Sequence, residues 1–341
     1  MRVRSLTIRR SLAIFACALA GACSSQVPGG PDPGGTADAA SAVDATVDAA
    51  VDRGPHPVVL VHGLDGFQHI GPIDYFYGVA AALTADGATV YAPALDPYNS
   101  SEVRGAELLA FVRGVIAETG AARVDLICHS QGGLDCRYVA SVAPDLIAHV
   151  VTIAAPHRGT PIADIAAEDL QGPTKQAVDA LLNLIGAVVS GQPDHDAEAA
   201  LVTLSAKGAA AFSAAYPDRA SVAYFSIAGR SGLTRADGDC TPDAIVPFVG
   251  QLADTDPLEP LLDAPAAILD NALHGTDAHD GLVPVASARW GTFLGCLPAD
   301  HFDEVCQIAG DSPGLGNGFD CVGFYRALGA WLRDGAPVAH P

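Results

Sequence analysis

Short, unbroken apolar runs rich in β-branched residues recur along this chain, and each ends in a turn marked by glycine, proline or histidine. Pro57-Val58-Val59-Leu60-Val61, Ala88 to Ala92, Val124-Asp125-Leu126-Ile127-Cys128, His149-Val150-Val151-Thr152-Ile153-Ala154 and Val222 to Ala228 have the length and composition of strands covered on both faces. Between them, about Tyr75–Ala85, Glu107–Ala117 and Leu134–Ala143 read as helices. This alternation predicts an α/β fold with a mainly parallel central sheet flanked by helices. Ligands of such sheets gather at the carboxyl ends of the strands, which here are the His62-Gly63 turn, Ser130 and the Pro156-His157 turn.

From Pro161 to Pro217 no strand is evident. Within that stretch Thr174–Val189 places Ala177, Val178, Leu181, Leu182, Leu184, Ile185, Val188 and Val189 at helical spacing beside a polar edge of Lys175, Asp179 and Asn183. Gly172-Pro173 and Ser190-Gly191 bound it as hinges. It reads either as a core helix or as a helical lid insertion, spanning about 161–217, whose apolar face covers a site in water and opens at an oil surface.

The amino-terminal end has a different character. Arg2, Arg4, Arg9 and Arg10 precede an uncharged run from Ser11 to Ala22. That run is about a dozen residues, short of the roughly 20 that span a bilayer, so residues 1–22 read as an export signal. Leu19-Ala20-Gly21-Ala22-Cys23 resembles a bacterial lipoprotein cleavage site, which would leave Cys23 as a lipidated N-terminus; ordinary cleavage after Ala20 or Ala22 is the alternative. The residues following Arg9-Arg10 fit a twin-arginine signal poorly. Residues 23–54 are Gly, Pro, Asp, Ala and Val with almost nothing to bury, and read as a disordered tether. One domain, 55–341, follows.

Charge narrows the partners. The chain carries a formal charge of −21, which becomes −25 once the four signal arginines are removed. Phosphate backbones and anionic headgroups repel such a surface, so nucleic acid and electrostatic membrane docking are excluded and any lipid binding is apolar. Of the eight cysteines, Cys17 leaves with the signal, Cys23 is the lipidation candidate, and Cys128 and Cys136 read as buried free thiols. Cys240, Cys296, Cys306 and Cys321 lie in the loop-rich last third of a chain read as exported, where disulfides persist. Of their three possible pairings, Cys240–Cys296 and Cys306–Cys321 are favoured.

The chemistry centres on Cys128-His129-Ser130-Gln131-Gly132-Gly133. A strand ending on a serine, followed at once by glycines and a helix, is the pattern of a nucleophile elbow, with Cys128 where glycine is usual. The position needs a small side chain because the helix passes close to the strand end. A serine nucleophile needs a base, and the base an acid that fixes its tautomer. In α/β-hydrolases these follow in the order Ser, acid, His. His301 is the best base by position; Asp280 is the favoured acid, with Asp277 and Asp270 as rivals. Backbone N–H donors for the oxyanion should come from Gln131, at a helix N-terminus, and from Leu64 in the His62-Gly63-Leu64 turn. His62 itself reads as a structural hydrogen-bonder.

A longer set of residues resembles a known family. Val61-His62-Gly63-Leu64, Gly87-Ala88-Thr89-Val90-Tyr91, His129-Ser130-Gln131-Gly132-Gly133-Leu134, Arg137-Tyr138-Val139-Ala140, Pro156-His157-Arg158-Gly159, Asp280-Gly281 and His301-Phe302-Asp303-Glu304 are similar to the true bacterial triacylglycerol lipases of family I, α/β-hydrolases, over roughly Pro57 to Leu332. The resemblance implies a triad of Ser130, Asp280 and His301, an oxyanion hole of Leu64 and Gln131, and the Thr174–Val189 helix as lid. It implies a structural Ca2+ near His301, with carboxylates from Asp303 and from Asp256 (rival Asp254) and carbonyls from Gln307 and Asp311; calcium prefers such hard oxygen ligands. It implies lipid ester substrates at an oil–water interface, and some members need a membrane foldase. The disulfide pattern of the family does not transfer: Ala286 stands in the region where a cysteine is usual. A carboxylesterase or acyltransferase on the same residues, and a catalytically silent surface lipoprotein, are the alternatives.

Overall fold

The computed structural model describes residues 54–337 apart from 65, 67–68, 71–72, 169–195, 232–239, 250–255, 275–276 and 308–317. The export signal, the tether, the Thr174–Val189 helix, Asp254 and Asp311 therefore lie outside the described residues.

The strands are β1 (Val58–Val61), β2 (His69–Ile70), β3 (Ile73–Asp74), β4 (Val90–Tyr91), β5 (Val124–His129), β6 (Ile147–Ile153), β7 (Ala223–Gly229) and β8 (Thr292–Leu297). Six of them form one sheet in the order β4-β1-β5-β6-β7-β8, and every pairing in it is parallel. β2 and β3 make a small antiparallel ribbon. The helices are α1 (Val79–Ala85), α2 (Ser101–Thr119), α3 (Gly132–Val142), α4 (Pro161–Glu168), α5 (Ala197–Leu204), α6 (Ala206–Ala215), α7 (Asp263–Ala272), α8 (Val285–Ala288) and α9 (Cys321–Asp334).

The strands of the large sheet are mostly apolar because both of its faces are covered. Val58, Leu60, Ile127, Val151 and Ile153 point to the side of α1 and α9, where Leu83, Phe324 and Leu328 pack. Val59, Val61, Leu126 and Val150 point to the side of α2 and α3, among Leu108, Val112, Val139 and Ala140. Burying each such side chain is worth about 1.5–3 kcal/mol relative to exposure, so alternation of polar with apolar residues would be costly on either face. β5 sits between β1 and β6, with Cys128 opposite Val61 on one side and Thr152 on the other. The segment that carries Ser130 is thus the middle of the sheet.

β8 was not anticipated: its run Thr292-Phe293-Leu294-Gly295-Cys296-Leu297 is interrupted by Gly295 at φ 119°. The described parts of the 161–217 stretch are helices packed against the elbow region, with Ala163, Leu204 and Phe212 clustering on Leu134 of α3.

Three disulfides are present among the described residues. Cys240–Cys296 and Cys306–Cys321 pair as favoured. Cys128 and Cys136, read as free thiols, are instead bonded to each other. The end of β5 and the second turn of α3 pack so closely that the Cα atoms lie 6.7 Å apart. The close approach that calls for a small residue at 128 also places two sulfurs within bonding reach.

Candidate active site

The sheet ends β5 at His129, and Ser130 turns the chain into α3 with a left-handed φ of 56°. Serine reaches that region at a cost of roughly 1–2 kcal/mol, and the surrounding structure enforces it. Ser130 N–H donates to Ile153 O of β6, and Gly133 N–H donates to Ser130 O. Two glycines permit the turn. A Cβ at Gly132 would lie 2.7 Å from the carbonyl oxygens of Val61 and His62, and one at Gly133 would lie 2.3 Å from the Cβ of Ala155. α3 can therefore start directly against the ends of β1 and β6.

The structure brings Ser130, His301 and Asp280 into one hydrogen-bonded series. Ser130 Oγ lies 3.0 Å from His301 Nε2, and His301 Nδ1 lies 2.7 Å from Asp280 Oδ2. Asp280 Oδ1 accepts from the N–H groups of Leu282 and Val283 at 2.8 and 2.6 Å, and the His301 N–H donates to Asp280 O. With a proton on Nδ1 shared with Asp280, His301 presents a bare Nε2 to the serine hydroxyl. Asp270, a rival acid, pairs with His279 Nε2 at 3.1 Å instead.

Facing the elbow is the turn after β1. A Cβ on Gly63 would come within 2.6 Å of Ser130 Cβ, which keeps Gly63-Leu64 tight against the serine. His62 is buried; its Nε2 accepts from Leu95 N–H and its Nδ1 donates to Gly63 O. Burial, then the Arg104 guanidinium, pushes its pKa down to about 3, so it stays neutral. Arg104, itself fully buried, donates to His62 O at 2.8 Å, to Asp96 O at 2.5 Å and to Asp135 Oδ2 at 2.8 Å. Gln131 caps the start of α3, and its side chain donates to Asn99 O. Gln131 follows Ser130 directly, and Gly63, which precedes Leu64, packs against the serine.

A further polar series was not read from the sequence. Gly63 N–H donates to Tyr75 Oη, which lies 2.7 Å from His129 Nδ1; His129 Nε2 lies 3.0 Å from Glu304 Oε2. Glu304 is fully buried and stands 3.8 Å from His301 Nδ1. Burial, then the charges of Asp280 and Asp300, drives its carboxyl well above the usual range, while burial and His301 hold His129 well below its own. Both shifts favour the uncharged form of the group. The only sequence signal was the alternation of His129 with Ser130 and the proximity of Glu304 to His301.

Asp256 and Asp303, expected to share a cation, meet with Asp300 in a buried cluster whose carboxylate oxygens lie within 4.8 Å of one another. Asp300 was missed because its role is partly local: its carboxylate accepts from the N–H groups of Glu259, Phe302 and Asp303. Burial, then Asp300 and Asp256, pushes Asp303 up to about 9. Three crowded acids of this kind suit a hard divalent cation. Gln307 lies one turn on, with its side chain donating to Asp74 O and Tyr75 O.

The family model described as alpha/beta hydrolase fold matches residues 56–219. A "Triacylglycerol lipase" of Pseudarthrobacter phenanthrenivorans is 35% identical over 288 residues, covering 75% of this chain and 90% of the relative. One of Burkholderia plantarii is 35% identical over 288 residues, covering 75% of this chain and 80% of the relative. Among solved structures, a Staphylococcus hyicus lipase shares the fold with a TM-score of 0.56 at 16% identity, over 82% of this chain and 95% of that one. The chain belongs to the bacterial lipases of the α/β-hydrolase superfamily, and it is an ester hydrolase.

Proposed function

We propose that this protein is a triacylglycerol lipase acting outside the cytoplasm, with Ser130 as nucleophile, His301 as general base and acid, and Asp280 as the group that orients His301. The observation that carries this reading is the unbroken series Ser130 Oγ, His301 Nε2, His301 Nδ1, Asp280 Oδ2 at 3.0 and 2.7 Å on the carboxyl edge of the sheet. Ser130 Oγ attacks the ester carbonyl carbon as its proton passes to His301 Nε2. The oxyanion is held by the N–H groups of Leu64 and Gln131, each such donor being worth about 10²–10³ in kcat. As the ester C–O bond breaks, His301 returns the proton to the leaving alcohol. Water, deprotonated by His301, then attacks the acyl-enzyme, releasing the carboxylic acid and restoring Ser130.

Asp256 and Asp303, with Asp300 beside them, would hold a structural calcium ion that neutralises the acids and pins the loop carrying His301. The lipid ester is favoured over a soluble one by the relatives' names and by the amphipathic Thr174–Val189 stretch, read as a lid. Export through residues 1–22, with lipid attachment at Cys23, completes the reading.

Ser130→Ala tests it. Hydrolysis of emulsified triacylglycerol and labelling by a fluorophosphonate should both vanish while the circular dichroism spectrum and melting curve stay those of the parent. Turnover near the parental rate in that variant would remove Ser130 from the mechanism. Activity confined to short soluble esters, with no rise at an emulsion surface, would instead identify a carboxylesterase.

A further inference from the structure

At the opposite, amino-terminal edge of the sheet a second group of ligating side chains converges. Asp125 is the second residue of β5, and His149, on the neighbouring β6, is its partner in the ladder. His56 lies just ahead of β1, where Asp125 N–H donates to Pro57 O. Asp125 Oδ1 lies 2.7 Å from His149 Nδ1 and 3.2 Å from His56 Nδ1. One ligand atom from each residue falls within 4.8 Å of the other two. Asp125 and His149 are buried, and His56, whose side chain is 7% exposed, lies nearest the surface.

We propose that His56, Asp125 and His149 form a structural site for a borderline transition metal such as Zn2+, ligated by both Nδ1 atoms and one Asp125 carboxylate oxygen. Water completes the tetrahedron on the His56 side. Two imidazoles and one carboxylate suit Zn2+, Co2+ or Ni2+ and not calcium, which wants oxygen alone. Bonds of about 2.0–2.1 Å set tetrahedral ligands roughly 3.3 Å apart, so the cluster admits the ion by opening a few tenths of an ångström.

Ligation keeps the proton count simple. The Nδ1 proton that each neutral ring shares with Asp125 moves to its Nε2, so ligation by a neutral ring releases no proton. Asp125 precedes Ser130 by five residues on one extended strand, about 16 Å away, so the metal does not take part in ester hydrolysis. It staples the entry of the domain, at His56, to the two central strands β5 and β6.

The test uses Co2+ as probe on the full chain without a histidine tag, stripped with chelator and then saturated with calcium to occupy carboxylate sites. One equivalent of Co2+ should give the visible absorption of a nitrogen-ligated tetrahedral ion, be displaced by Zn2+, and raise Tm by about 3 °C or more. His56→Ala, a change at the residue nearest the surface, should abolish the absorption and the Tm rise while ester hydrolysis and circular dichroism persist. His149→Asn should do the same for the absorption. No such absorption from the parent, or absorption that survives in both variants, would overturn the site and leave a hydrogen-bonded cluster only.

Discussion

Ser130 is defined by its backbone before its chemistry: a serine at φ 56° would be a liability unless the turn were fixed by Ile153 O below and by Gly132 and Gly133 after it. Asp280, proposed as the orienting acid, is equally local, accepting from the N–H groups of Leu282 and Val283. Asp280→Asn keeps the shape but removes the charge that fixes the His301 tautomer, so kcat should fall by about 10³–10⁴ with little change in KM. A loss below tenfold in initial-rate measurements would show that another group orients His301. His62 offers a test by pH. Its folded pKa of about 3 lies below the ordinary 6.5, so unfolding takes up a proton between those values. The stability it supplies is complete above 6.5 and lost as pH falls toward 3, at up to about 1.4 kcal/mol per unit. Denaturant titrations at pH 6.5 and 4.5 should show a smaller loss for His62→Gln than for the parent; parallel losses would refute the assignment. At this scale Ser130 and His301 were legible because an elbow and a late loop histidine have recognisable neighbours. Asp300, Tyr75 and Glu304 were not, because a carboxylate or phenol in so acidic a chain reads as surface until the fold buries it.

At the scale of the element, strands were more legible in the sequence than the contacts between them. β1, β5, β6 and β7 are visible as apolar runs because each is covered on two faces. β8 is not, since Gly295 breaks its run. The Cys128–Cys136 bond joins the end of β5 to α3 across eight residues of sequence. A loop that short is worth about 2–3 kcal/mol through the entropy it removes from the unfolded chain. The double variant Cys128→Ala/Cys136→Ala should lose that much in denaturant unfolding while keeping Ser130 within reach of His301, so kcat at 25 °C should fall by less than about tenfold. An unchanged midpoint would mean that the bond adds nothing to packing already made by Gly132 and Gly133.

For the whole molecule the dominant feature is acid. The buried trio Asp256, Asp300 and Asp303 sits close to Glu304 and to the loop of His301, so a divalent cation there would couple global stability to the position of the base. Removing calcium with a chelator should lower Tm by several degrees, and adding calcium back, but not magnesium, should restore it in scanning calorimetry. A melting curve indifferent to both would discard the ion. Periodicity and turn chemistry by themselves determined the parallel sheet, the elbow at Ser130 and the edge at which chemistry gathers, because these follow from which residues must be covered and which turns the backbone allows. Only the tertiary structure decided which aspartate faces His301, which cysteines bond, and that Asp300, Tyr75, Glu304 and the His56–Asp125–His149 group lie where they do. Those are contacts between segments far apart in the chain, fixed by how strands are ordered and helices packed, and no local pattern encodes a distance across the fold.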